Sequence, residues 1–420
     1  MPIVTCGCGA RLNAPDRLAG KLVPCPKCTA PVKVPAAEAV AEPELDLMPL
    51  APSSAPDPLP ARVAAPAPRR AIPPRPPPSP PVPAWKLYGR WALGLALLPL
   101  VFSVFSKNDV RERYEQMLAS DPKLATKIDQ LERRNAKEEE IFDALPQNRI
   151  PGALVAHSSK IHWLFALLSA GAFWGFLLLV YPMGNSTAQG LWGVGVFTGT
   201  IGIVLLLALQ IAAQYSQGMM LTGRSIIVII FYIIKFIGFS YRAALDPGNG
   251  FILSMLGFTF GVGFCEEACK LLPLLWHFRR TAKLDLSGAV LWGLASGIGF
   301  GVSEGISYSA DQYNGIHTGE IYVVRFISCV ALHAIWNGFS SVLLWKWQTD
   351  IQAIDTWYGW FIPIFKVAGV SMALHALYDT ALKKDHDLIA LVTAVVSVAA
   401  FFWLYERVKK DEPAMTGATA

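Results

Sequence analysis

The chain has 420 residues, 53% of them hydrophobic and only 16% charged. Soluble domains carry about 25% charged residues, so an ordinary soluble fold is excluded. The net charge of +5 is modest, and no long basic stretch is interleaved with aromatics, so nucleic acid is not an expected partner.

Residues 1–35 carry Cys6-Gly-Cys8 and, after sixteen intervening residues, Cys25-Pro-Lys-Cys28. Two close cysteine pairs form knuckles whose four thiolates close a tetrahedral zinc site. So small a domain buries too little core to fold alone, and a structural zinc would supply the missing stability. A small β-ribbon holding zinc in the reducing cytoplasm is preferred over two disulfides. It resembles the zinc ribbons at the front of many bacterial membrane and signalling proteins. The first 84 residues lack an apolar signal-peptide region. Residues 36–84 form a Pro/Ala-rich linker, with 17 of the chain's 31 prolines between 35 and 83. That composition favours an extended chain without a packed core.

The first membrane span is expected at 85–105. Residues 106–160 are strongly charged, with ten Lys or Arg and ten Asp or Glu, and suit a solvated helical hairpin. Further apolar runs follow at 161–183, 190–213, 225–241, 251–276, 284–308, 321–346, 357–381 and 387–405. Each approaches the roughly 20 residues that cross a bilayer. The expected fold is an all-α polytopic membrane helical bundle of about eight or nine transmembrane helices, behind a small N-terminal zinc ribbon. The run 225–241 is the weakest, being short and holding Lys235, and is read as interfacial or re-entrant. Arg279, Arg280 and Lys283, and the tail 406–420 with Arg407, Lys409 and Lys410, place their loops inside. Eight crossings then put the ribbon inside as well, at the cost of an outer loop with Lys383 and Lys384.

Charged groups are expensive inside a span and face the protein interior or water. The later spans hold four such groups in turn: Glu266-Glu267-Ala-Cys-Lys270, Phe300-Gly-Val-Ser-Glu304, His333-Ala-Ile-Trp-Asn337 and His375-Ala-Leu-Tyr-Asp379. Glu266 and Lys270 share a helix face and can pair, whereas Glu267 is rotated by about 100° and is expected to look elsewhere. Asn337 and Asp379 each lie one turn from a histidine, where they can fix its tautomer. All four groups reach the middle-to-outer membrane. A proton or ion site in a transporter or channel uses the same residue types, but no inverted repeat is visible. Cys265, Cys269 and Cys329 read as buried apolar residues. Lys235, Arg325 and Lys346 read as snorkelling or near span ends, and Lys366, beside Pro363, as marking a helix break. His157, His162, His277, His317 and His386 read as solvent-facing.

In their order these motifs resemble the PrsW family of membrane proteases, and more distantly the CAAX-processing and bacteriocin-processing membrane proteases. The resemblance covers roughly 160–405. CAAX-type enzymes typically show Glu-Glu-x-x-x-Arg and a histidine in the second motif, so Lys270 and Glu304 point to the PrsW side. It implies a bacterial inner-membrane enzyme that cleaves membrane-anchored proteins, such as anti-sigma factors, from the non-cytoplasmic side. Glu266 would be the general base for an activated water. His333 would hold the water or the oxyanion, with Asn337 donating to the latter. Glu304 and His375 would complete the water site, Lys270 would compensate charge, and Asp379 would orient His375. The side chains also permit a catalytic metal with Glu and His ligands. A metal-independent glutamate mechanism is preferred, since no His-Glu-x-x-His motif is present.

Overall fold

The computed structural model describes residues 88–106, 109–279, 284–354, 356, 359 and 361–417, with 3–5, 11–13, 22–24, 28 and 30–33 near the N-terminus. The chain divides into two units, Met1–Pro78 and Ser79–Ala420.

In the first unit, β1 (Ile3–Thr5) pairs antiparallel with β2 (Arg11–Asn13). Likewise β3 (Leu22–Pro24) pairs with β4 (Pro31–Lys33). In sequence each hairpin brackets one cysteine pair, with Cys28 exposed. Cys6, Cys8 and Cys25, and the linker 36–84, lie outside the described residues.

The second unit is a helical membrane bundle. Among the described residues seven helices are long and apolar enough to cross a bilayer. They are α5 (His162–Val180), α6 (Ala188–Gly218), α7 (Ile226–Leu245), α8 (Phe251–Arg279), α9 (Leu286–Tyr313), α10 (Gly319–Lys346) and α12 (Asp387–Gly417). The shorter α1 (Arg90–Ser103) begins as a 3-10 helix. Helix α11 (Phe361–Lys383) has the length of a span but carries Lys366, His375 and Asp379. It runs through Lys366 unbroken, and that ammonium lies 3.0 Å from the centre of the Trp347 ring. Aromatic capture, not a helix break, therefore accounts for this lysine. Helix α7 has 20 residues, longer than the apolar run suggested and about 30 Å at 1.5 Å per residue.

Burial shows which helices are central. The apolar window of α10 is 89% buried and that of α9 is 72%, whereas α7 buries only 22%. Without a hydrophobic drive between helices in lipid, close approach through small residues supplies the packing. A Cβ on Gly297 would overlap the His333 carbonyl, and one on Gly299 would overlap the Gly195 carbonyl. Gly299→Leu is therefore expected to cost about 3 kcal/mol or more by overpacking against backbone. Gly193→Leu, where a Cβ meets nothing within 4 Å, should be tolerated. The recovered folded fraction in detergent tests both, and equal yields would contradict the packing argument.

The charged insert is not a hairpin but three helices, α2 (Val110–Ser120), α3 (Pro122–Arg133) and α4 (Glu138–Ala144). The Asp109 and Asp121 side chains accept backbone N–H groups at the starts of α2 and α3, satisfying donors the helix leaves open. Met117, Leu124, Ile128, Leu131, Phe142 and Leu145 give the insert its own small core, which a hairpin reading of its charges overlooks. It rests on the loop between α9 and α10. Arg113 donates to the carbonyls of Pro151 (2.6 Å) and Ile316 (2.9 Å). His162 is not solvent-facing: it is 2% exposed and contacts the Asn314 amide at 3.1 Å.

Candidate active site

The four sequence motifs converge inside the bundle. Glu267, Lys270 and Asn337 are fully buried, His333 and His375 nearly so, and Glu266 is 6% exposed. The side chains of Glu304 and Asp379 are 16% and 25% exposed, so they form the accessible edge.

In two of the four spans a π-helical turn directly precedes the segment that carries the site residues. Thr259–Gly263 directly precedes the helical segment that starts at Phe264. Val324–Cys329 precedes Val330–Lys346 and contains Arg325. Such bulges re-aim the side chains of the next turn and are frequent at functional sites.

Helix α8 supplies three charges. Lys270 Nζ donates to Glu267 Oε1 at 2.7 Å and lies 3.6 Å from Glu266 Oε2. Glu267 therefore does not look away. An i,i+3 pair is also a helix neighbour, and the shorter contact is to Glu267. The ammonium also lies 2.8 Å from His333 Nδ1 and 4.4 Å from the centre of the Phe300 ring. A charged lysine only donates, so His333 Nδ1 accepts and the ring proton sits on Nε2.

From His333 the network continues to α9. His333 Nε2 lies 2.6 Å from Glu304 Oε2, close but off a hydrogen-bonding angle, since that oxygen has no hydrogen-bond partner. Glu304 Oε1 lies 2.8 Å from Arg325 Nη2, and the guanidinium covers the Tyr308 ring at 3.8 Å. Arg325 is 9% exposed, so it is not a snorkelling residue. A buried carboxylate needs a counter-charge, and Arg325 supplies it. The sequence signal was its position in an apolar run one motif after Glu304.

On the other side, His375 Nδ1 lies 3.0 Å from Glu267 Oε1. The ring donates through Nδ1 and turns its Nε2 edge toward Glu266 Oε2 (3.7 Å) and Asp379 Oδ2 (3.4 Å). Glu267 thus makes the shorter contact to His375 and Asp379 a longer one, and Trp336 stacks on the ring at 4.3 Å. Asn337 does not bond His333. Its amide donates to the Gly293 carbonyl at 2.9 Å, because it faces the close α9–α10 seam one turn deeper. Cys265, Cys269 and Cys329 are buried, as expected of small apolar side chains.

Glu266, His333 and His375 can each offer one ligand atom, all within 4.8 Å of one another. A tetrahedral ion with bonds of about 2.1 Å brings its ligand atoms to about 3.4 Å apart, so a modest contraction would close the set. Glu266 Oε2 is buried without a hydrogen-bond partner, as an oxygen reserved for a ligand would be. His375 already shows the carboxylate–histidine pairing typical of metal-bound imidazole. His333 would have to release Lys270 or Glu304. The donor set fits a divalent metal with that one rearrangement.

A family model described as PrsW family intramembrane metalloprotease matches residues 181–405, more than half of the chain. No curated protein and no solved structure matches it.

Proposed function

The chain belongs to the PrsW family of intramembrane metalloproteases, and from that premise we propose that it hydrolyses a peptide bond of a membrane-anchored protein at the cluster around Glu266. It is an integral membrane enzyme that acts on membrane-embedded substrates within the bilayer. With the family in hand, the transporter reading has no remaining support. The observation that carries the site assignment is the free, buried Glu266 Oε2, within 4 Å of both Lys270 Nζ and His375 Nε2.

The chemistry follows from the groups present. Glu266 takes the proton of the attacking water and passes it to the leaving nitrogen as the C–N bond breaks. Lys270 limits the charge that accumulates on the two carboxylates. Glu267 fixes the His375 tautomer, so the Nε2 edge faces the reaction space. Asp379 and Glu304, at the accessible edge, border the entering peptide. The family's metal would be held by Glu266, His333 and His375 and would supply Lewis acidity toward the scissile carbonyl. A carboxylate has two oxygens, so Glu266 can serve both as ligand and as base.

Beyond the site, Cys6, Cys8, Cys25 and Cys28 are assigned to a structural zinc in a cytoplasmic ribbon over residues 1–35, followed by a linker over 36–84. The protease domain is assigned to 161–405 of a bacterial inner-membrane protein, and an anti-sigma factor is the favoured substrate. Hairpins flanking each cysteine pair support the first assignment.

The metal assignment is tested on the full chain reconstituted with a single-span reporter. A strong chelator should stop cleavage and zinc should restore it. His375→Ala should bind about one metal equivalent less than wild type. Chelator-insensitive cleavage with equal metal content would return the site to the metal-independent glutamate mechanism.

A further inference from the structure

A cavity of about 730 Å³ lies among α1, α5 and the N-terminal part of α10. Its walls include Ala92 and Ala96 of α1, and Phe165, Ala172 and Phe176 of α5. Phe326 of α10 also lines it. Helices α1 and α5 precede residue 181, so they lie outside the segment that the family model matches. This chain therefore builds the cavity partly from its own additional helices.

Size and lining indicate what it holds. From Phe165 to Phe176 the cavity follows α5 for about 16 Å. Half of an α-helical cylinder about 10 Å across and 16 Å long displaces roughly 600 Å³, close to the cavity volume. The lining is apolar apart from Ser169, whose hydroxyl already donates to the Phe326 carbonyl, and Tyr322, whose hydroxyl donates to Asn314 Oδ1. No polar side chain is left there for a lipid headgroup. Small residues line it where a helix backbone would approach, and Ala92 and Ala96 have the small-xxx-small spacing of membrane helix contacts. On the same helix α5, Gly171 and Gly175 repeat that spacing, and a Cβ on either would meet nothing within 4 Å.

One wall residue of the cavity, Phe326, adjoins the Glu304–Arg325 pair in the chain and in its packing. The Phe326 ring lies 2.9 Å from where a Cβ on Gly305 would sit. Gly305 follows Glu304, and Arg325, which pairs with Glu304, precedes Phe326. Phe326 therefore packs on the turn of α9 that carries Glu304. Resting on the peptidase reading above, we propose that this groove seats the membrane-spanning helix of the protein substrate beside Glu304, with Phe326 as the wall residue that adjoins it.

The test uses the full chain in liposomes with a single-span reporter whose segment is about 20 Leu and Ala residues. Benzoylphenylalanine is placed at position 168, on the cavity wall, in a Glu266→Gln background. Illumination should cross-link the reporter. The same probe at Leu207, a lipid-facing position on α6, should not. With Glu266 intact, Ala172→Trp should raise KM for the reporter about tenfold and leave kcat within about threefold, the signature of lost docking. Cross-links from position 168 to lipid alone, or an unchanged KM, would overturn the proposal. If wild type cleaves no reporter yet the cross-link forms, the peptidase reading fails and the groove stands. Cleavage without the cross-link has the opposite meaning.

Discussion

Arg325→Met is expected to destabilise the chain by about 3–5 kcal/mol, the cost of breaking a buried ion pair by removing one partner. Glu304 would keep only the misaligned contact with His333, and its second oxygen would lose the guanidinium at 2.8 Å. The double variant Arg325→Met, Glu304→Gln removes both charges and should regain more than half of the loss. A double-mutant cycle of reversible unfolding in mixed micelles isolates that coupling. Costs below about 1 kcal/mol that simply add would mean that Arg325 behaves as a surface residue.

Much of the site was legible in the sequence because helical spacing fixes which residues share a face. Glu266 with Lys270 and His375 with Asp379 could be grouped before any helix was placed. Four such groups on successive apolar runs sufficed to predict a common centre. What spacing cannot give is the identity of the neighbour across a helix seam. Asn337 shares a face with His333, yet its amide is taken by the Gly293 carbonyl. Glu267 lies about 100° from Glu266, yet it holds both Lys270 and His375. Arg325 was misjudged for a related reason. Distance from a span end suggests snorkelling, but a π-helical turn and the Tyr308 ring hold it inward. The insert's core was hidden because its apolar residues are scattered among many charges and meet only when three helices fold together.

Glu266 carries the central claim. If it moves the proton in peptide hydrolysis, Glu266→Gln keeps the shape of the side chain and removes both its basicity and its charge. Loss of a general base costs about 10²–10⁴-fold, and loss of a metal ligand would deepen that. Folding should survive, because Lys270 keeps Glu267 at 2.7 Å and Glu267 keeps His375 at 3.0 Å. The decisive measurement is the initial rate of single-span reporter cleavage by the purified full chain in liposomes, wild type against Glu266→Gln. Thermal unfolding of both samples is recorded alongside. The account predicts a fall of at least about a thousandfold with an unfolding midpoint within a few degrees of wild type. Cleavage by the variant at the wild-type rate would contradict it.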